Sequence, residues 1–300
     1  MNETLLSIFL PIILGYILLK IKYIPERVNK DLKLFVVRVA VPFRIFTAMY
    51  NTSMETIKEI LPLSLSFVLL TAILIIFSFL LLFKIKDSKI KASYMLGIVY
   101  GNYGWIGWAV LNGAYGTEGL SRGVFFTSLW WPILYLGSFA IAKITKVDSE
   151  LDVKNYVLNM VVPIASLIIG LTFNILQIPI YPTFEKTING FSDMTLPIIL
   201  FTVGLSISVR NSFKDIKRSI LPVVLRPVLG IIGGLLTIFI IGFKDPLSIN
   251  TVLMESTMPV AVFTVVLGDM LGLDEKLLSS ILILSTLFSL ITVPLVLYFL

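Results

Sequence analysis

Ten stretches of this 300-residue sequence are apolar over roughly 17 to 25 residues each, the length at which a helix crosses about 30 Å of hydrocarbon. Their approximate limits are 4–20, 32–50, 57–83, 92–111, 119–142, 156–176, 187–209, 218–242, 248–271 and 277–300. Hydrocarbon offers backbone N–H and C=O groups no partner but one another, so each stretch is expected to be helical. With 57% hydrophobic and 14% charged residues, the chain carries more apolar surface than one soluble core would bury. The expectation is an all-α membrane protein of ten transmembrane helices, with short connections and no attached soluble domain.

The same five-span pattern occurs twice. Pro11, Pro42 and Pro62 recur as Pro163, Pro197 and Pro222 with matching neighbours. Pro42-Phe43-Arg44-Ile45-Phe46-Thr47 reads against Pro197-Ile198-Ile199-Leu200-Phe201-Thr202, and Ile60-Leu61-Pro62 against Ile220-Leu221-Pro222. Lysine and arginine alternate along the chain. Lys20, Lys22, Arg27, Lys30 and Lys33 follow span one, Lys84, Lys86, Lys89 and Lys91 span three, Lys143, Lys146 and Lys154 span five, and Arg210, Lys214, Lys217 and Arg218 span seven. The alternate connections, after spans two, four, six and eight, hold only Lys58, Arg122, Lys186 and Lys244. Positive loops stay on the cytoplasmic side, so both termini are expected outside a cell membrane crossed many times. Five spans per copy then make the second copy enter from the opposite face. The expected domains are a first five-helix repeat, 1–145, a cytoplasmic linker, 146–155, and a second, inverted five-helix repeat, 156–300. Inverted repeats of this kind are typical of secondary transporters.

Several chemistries are excluded by composition. Cysteine and histidine are absent, which removes disulfides, thiolate nucleophiles, Ser/His triads and the usual zinc ligand sets. No nucleophile–base pair is visible, so an enzyme is not expected and no cofactor is implied. Proton coupling would have to use carboxylates. The formal charge of +6 reads as membrane orientation rather than nucleic-acid binding. Met1-Asn2-Glu3 lacks the basic run that precedes a cleaved signal, so span one is expected to be retained.

Two spans carry breaks at the same place in each copy. Span four contains Gly101-Asn102-Tyr103-Gly104-Trp105-Ile106-Gly107, where three glycines disfavour a continuous helix. Span nine contains Glu255-Ser256-Thr257-Met258-Pro259, where proline removes a backbone hydrogen bond. The offset that aligns Pro42 with Pro197 also places Gly104 opposite Pro259. Broken helices expose amides and carbonyls that persist only inside protein or beside a wet cavity. Half-helix N-termini meeting near the midplane would suit a carboxylate or another anion. The bland alternative is that the glycines serve close packing and the proline a kink.

Glu255 lies mid-span, where insertion scales charge roughly 2.5–3.5 kcal/mol for residues such as Asp or Lys. It is the leading candidate for binding sodium, with Asn102, Ser256, Thr257 and freed carbonyls, or for carrying a proton. A structural ion pair or a protonated glutamate is the plainer reading. Arg226 in span eight offers a fixed positive charge to an anion, a partner for Glu255, or a snorkelling side chain. Arg38 and Asp193 are read as interfacial, Arg44 as packed against a polar helix neighbour, Trp130 and Trp131 as packing or interfacial aromatics, and Asp269 as solvated.

The broken spans, the stretch Leu196 to Leu205, and the run from Met258-Pro259 through Ser285-Thr286-Leu287-Phe288-Ser289-Leu290 resemble the auxin efflux carrier family over nearly the whole chain. In that family the closing run looks like Pro-x-Ala, an acidic loop, then Ser-Thr-Leu-x-Ser. Here Pro259-Val260-Ala261, Asp274-Glu275 and Ser285 to Ser289 match. The resemblance implies a ten-helix fold similar to bile acid sodium symporters, with spans one, two, six and seven as scaffold and spans three to five and eight to ten as a moving transport unit. It also implies that spans four and nine cross at their breaks, with Asn102 and Pro259 as crossover residues. Relatives include permeases for malate and malonate and plant exporters of auxin. Gly104 stands where plant carriers typically have proline, and their long cytoplasmic loop is missing, so auxin itself is not implied. Bile acid symporters use an acidic residue in the ninth span for sodium, which Glu255 matches.

The expected function is secondary active transport of a small organic anion by elevator-type alternating access. The substrate-binding residues would be Asn102, Tyr103, Gly104, Thr257, Met258, Pro259 and Arg226, with Phe201 and Thr202 as an opposite wall. Glu255, Ser256 and Asn102 would bind or couple the ion, with sodium or a proton as candidates and sodium placed at Glu255. The expected partners are the anion, the lipid bilayer and, as an option, a second copy in a homodimer. The alternatives are an uncoupled exporter or uniporter, or a ligand-sensing membrane protein of the same fold.

Overall fold

The computed structural model describes residues 2–25, 27–52, 61–147, 153–207 and 215–300. Lys58, Arg210, Lys214 and half of the expected linker, 148–152, lie outside the described residues. In chain order the helices are α1 (Asn2–Lys20), α2 (Arg27–Phe35), a π-helical turn (Val36–Ala40), α3 (Val41–Asn51), α4 (Pro62–Leu81), α5 (Ser88–Val99) and a second π turn (Tyr103–Gly107). They continue with α6 (Trp108–Phe126), α7 (Trp130–Thr145), α8 (Val153–Ile175), α9 (Pro182–Asp193), α10 (Thr195–Ile207), α11 (Ile216–Ile241), α12 (Pro246–Ser256), α13 (Phe263–Met270) and α14 (Glu275–Phe299). Among the described residues there is no β-strand, only one isolated bridge between Gly101 and Val260.

The long helices are inside-out by soluble standards. In α11 the buried residues include Ser219, Arg226, Gly230, Gly233, Gly234 and Thr237, while Ile220, Val224, Val228, Ile231, Leu235 and Phe239 are exposed. In α14 Ser280, Ser285, Thr286 and Ser289 are buried while Leu290, Ile291 and Leu295 face outward. Apolar surface of that extent needs an apolar surrounding. Among the described residues, four helical segments are long and apolar enough to cross a membrane: Pro62–Leu81, Pro182–Leu205, Ile216–Ile241 and Glu275–Phe299. The pair Tyr103–Phe126 and Trp130–Thr145, bent by 42°, makes a fifth. Ten crossings are therefore not established by helix length. Span two carries a π turn, spans four and nine are interrupted, and the described apolar helices of spans one and six, Phe9–Lys20 and Val161–Ile175, are shorter. Pro42, which lacks an N–H and crowds the preceding turn, follows the π turn in span two.

Contacts divide the chain into two compact units. The first is Met1–Leu61, Gly104–Ser128 and Lys154–Val209; the second is Pro62–Tyr103, Leu129–Val153 and Arg210–Leu300. In the first unit α1 runs against α10, and glycines permit it: a Cβ on Gly15 would collide with the Phe201 carbonyl, and one on Gly204 with the Ile12 carbonyl. α9 packs on α3, where Phe43 and Phe191 stack at 5.1 Å between ring centres. Asn174 closes the end of α3, its amide donating to the carbonyls of Met49 (2.8 Å), Tyr50 (2.7 Å) and Thr52 (2.6 Å).

Arg44 packs against a polar helix neighbour: its Nη1 donates to Ser192 Oγ at 3.1 Å and lies 3.4 Å from Oδ1 of the exposed Asp193. Arg122, counted with the extracellular loops, sits within α6 with its side chain buried. Gly116, at φ +61°, kinks α6, and Gly119 lies close against the Leu111 carbonyl.

The second unit is organised around α11, which packs against α4, α5, α12 and α14. Three of its helices start on aspartate caps, since an acidic side chain satisfies amides that have no intrahelical partner. Asp87 accepts from Ile90 N at 3.0 Å, Asp245 from Ser248 N at 2.9 Å, and Asp274 from Leu277 N at 3.1 Å. The Asp274 of the closing motif is thus the cap of α14.

Candidate functional site

The interruptions between Val99 and Tyr103 and between Ser256 and Phe263 lie in the second unit, and the geometry of the first differs in detail from the glycine count. α5 stops at Val99 and the chain is extended at Tyr100, whereas the glycine-rich segment from Tyr103 to Gly107 stays helical as a π turn. α12 stops at Ser256 and α13 begins at Phe263, with Pro259 between them. The two interrupted segments lie antiparallel and bond to each other. Asn102 N–H donates to the Pro259 carbonyl at 2.6 Å and Ala261 N–H to the Tyr100 carbonyl at 2.9 Å. Val260 N–H donates to Ser285 Oγ at 3.1 Å.

Arg226 completes the satisfaction of the breaks. Its guanidinium is fully buried, so it does not snorkel to a membrane surface. Nε donates to the Met258 carbonyl at 3.1 Å, Nη1 to the Ile98 carbonyl at 3.1 Å and Nη2 to the Tyr103 hydroxyl at 2.9 Å. In an unbroken helix the Ile98 carbonyl would accept from the N–H of Asn102. That N–H is turned to Pro259, and the guanidinium takes its place.

Two polar groups are left over. The Asn102 side-chain nitrogen and both Glu255 carboxyl oxygens are buried with no hydrogen-bond partner among the described residues. Burying such groups unpaired costs roughly 1–3 kcal/mol each, and more for a charged carboxylate. Ser256 and Thr257 beside them donate their hydroxyl protons into their own helix, to Leu253 and Met254 carbonyls at 2.8 Å. Their oxygen lone pairs remain available to a cation or a donor.

The model of the membrane transport protein family matches residues 1–297. The chain belongs to the membrane transport protein family. It is 29% identical over 305 residues to an uncharacterized transporter of Methanocaldococcus jannaschii, covering 98% of this chain and 96% of that one. It is 26% identical over 299 residues to an uncharacterized transporter of Methanothermobacter thermautotrophicus, with 98% and 96% covered. The match supports the resemblance to auxin efflux carriers read from the sequence.

Within this membrane transport protein the expected site residues fall into separate groups. Asn102, Tyr103, Arg226, Met258 and Pro259 are joined by the bonds above, and Glu255, Ser256 and Thr257 are buried at the end of α12. Gly104 is the first residue of a segment grouped with the first unit. Phe201 and Thr202 belong to α10 in that unit, where Thr202 is buried and its hydroxyl donates to the Ile199 carbonyl at 2.8 Å. Trp130 is a packing aromatic, with its ring centre 5.5 Å from Tyr103 and 6.0 Å from Tyr100. Trp131 packs edge-on to Phe263 at 5.1 Å. Asp269 is exposed, as expected.

Sequence reasoning did not single out Tyr100, Ile98 or Ser285 as parts of the crossover. Ile98 and Tyr100 contribute carbonyls, which any residue carries, and only their place just before Gly101 signals them. Ser285 was visible within the closing motif, but its partner, the N–H next to Pro259, becomes evident only from the fold.

Proposed function

We propose that the chain is a secondary active transporter of a small organic anion, a carboxylate, with its substrate at the paired breaks of spans four and nine. One observation carries this reading: the Asn102 amide donor and the Glu255 carboxyl are both buried without a hydrogen-bond partner among the described residues, and each belongs to one of two helix breaks whose backbone is otherwise well satisfied. The amide suits an anionic oxygen, and the carboxyl suits a proton or sodium accompanying it. Sodium coupling at Glu255, with the Ser256 and Thr257 oxygens near it in sequence, and proton coupling at the same carboxyl are the two forms this takes. Ten crossings as two inverted five-helix repeats, both termini outside and elevator-type movement complete the proposal. The duplicated prolines, the alternating lysines and the shared position of the two breaks support it.

A thermal-shift screen of the purified protein against dicarboxylates and aromatic carboxylates, with and without sodium, tests the reading. A carboxylate that raises the melting temperature of the wild type, and does so less for Asn102→Ala, is the expected result. Stabilisation only by cationic or neutral solutes would contradict it.

A further inference from the structure

Arg226 carries an inference that is independent of the transport reading. Ile98 lies in the last turn of α5, so its carbonyl belongs to the negative end of that half-helix, while Met258 lies in the unwound segment just past α12 and its carbonyl is one freed by the break. In broken-helix transporters half-helix C-terminal ends and unwound carbonyls of this kind are where a coupling cation sits. Here a guanidinium bonds both, at 3.1 Å each, and the Tyr103 hydroxyl as well. Its plane also lies near the Tyr103 ring, with the central carbon 5.4 Å from the ring centre.

We infer that Arg226 is a tethered cation that occupies, from within the chain, the cation position between the C-terminus of α5 and the unwound segment after α12. It acts as a positioning residue. By joining Ile98, Tyr103 and Met258 it fixes the two segments that present Asn102 and Pro259, and it satisfies a carbonyl of each break without an exchangeable ion. The surroundings are built to receive the guanidinium, because a Cβ at Gly101 would collide with Nη2 and with the Tyr103 ring. Any exchangeable cation is then confined to Glu255, the other charged group buried in this region.

Removing the side chain should convert an internal cation into an external one. The experiment compares melting curves of the purified full chain and of Arg226→Ala in millimolar guanidinium chloride and in equal choline chloride, with no substrate present. The expected result is a melting temperature lowered by several degrees in Arg226→Ala and recovered saturably by guanidinium, with no such rise in the wild type. Arg226→Lys, which keeps the charge without the fork, should melt between the two. A variant as stable as the wild type, or one that does not respond to guanidinium, overturns the inference. If Arg226→Ala cannot be isolated in choline, its isolation in guanidinium supports the inference. Failure in both salts, together with wild-type melting of Arg226→Met, assigns the residue to packing alone and overturns it. Because no substrate enters the assay, its outcome is separable from that of the transport proposal.

Discussion

Arg226 Nη2 donates to the Tyr103 hydroxyl over 2.9 Å in a part of the second unit closed to solvent. The bond links α11 to the residue immediately after the break in span four. Tyr103→Phe removes it and keeps the ring that packs on Trp130. A hydrogen bond to a charged group contributes about 1.5–3 kcal/mol, so a loss of roughly that size is expected in denaturant unfolding of the purified protein.

Gly101 and Gly230 mark two places where backbone and side chain approach too closely for a Cβ. At Gly101 the added methyl meets the Arg226 guanidinium, and at Gly230 it meets the Ser256 carbonyl. Overpacking of this kind costs about 1–3 kcal/mol. Gly101→Ala and Gly230→Ala should each lower the melting temperature, whereas Gly190→Ala, where nothing lies within 4 Å of the added methyl, should change it little.

The pair of Arg44 and Asp193 separates burial from charge. The Arg44 side chain is 13% exposed and the Asp193 side chain 77%. An exposed ion-pair partner contributes about 0–1 kcal/mol, so Asp193→Asn should be nearly silent in unfolding experiments. Arg44→Ala also removes the bond to Ser192 and leaves a void, and it should cost clearly more.

Asn174 holds the end of α3 through three carbonyls. Replacing it by alanine leaves buried acceptors unpaired, at roughly 1–3 kcal/mol. Asn174→Ala should lower the melting temperature while leaving the stabilising effect of a bound carboxylate intact, because Asn174 belongs to the first unit and the proposed substrate residues Asn102 and Glu255 to the second.

These residues also show what was legible in the sequence. Gly101 and Pro259 announced the breaks because glycine and proline act on their own backbone, which requires no knowledge of neighbours. Glu255 stood out because a carboxylate within apolar sequence is costly wherever its helix points. The ties were not legible. Arg226 meets an Ile98 carbonyl 128 residues away and Arg44 meets Ser192 148 residues away, and neither acceptor has a sequence signature. The half-helix N-termini are expected to face an anion, whereas the antiparallel approach of the two breaks pairs the backbone amides of Asn102 and Ala261 with the carbonyls of Pro259 and Tyr100. Apolar length suggested ten crossings, and it could not show how Gly101 and Pro259 divide their spans.

Counterflow in liposomes tests the transport account most directly. Vesicles containing the wild type, Asn102→Ala or Glu255→Gln would be preloaded with the carboxylate found by thermal shift, and uptake of labelled carboxylate measured with and without a sodium or pH gradient. The account predicts saturable exchange by the wild type and a half-saturation concentration raised roughly 10- to 100-fold in Asn102→Ala, the equivalent of one hydrogen bond to a charged group. It predicts exchange by Glu255→Gln that no longer responds to either gradient. Uptake, affinity and ion dependence unchanged in both variants would contradict it.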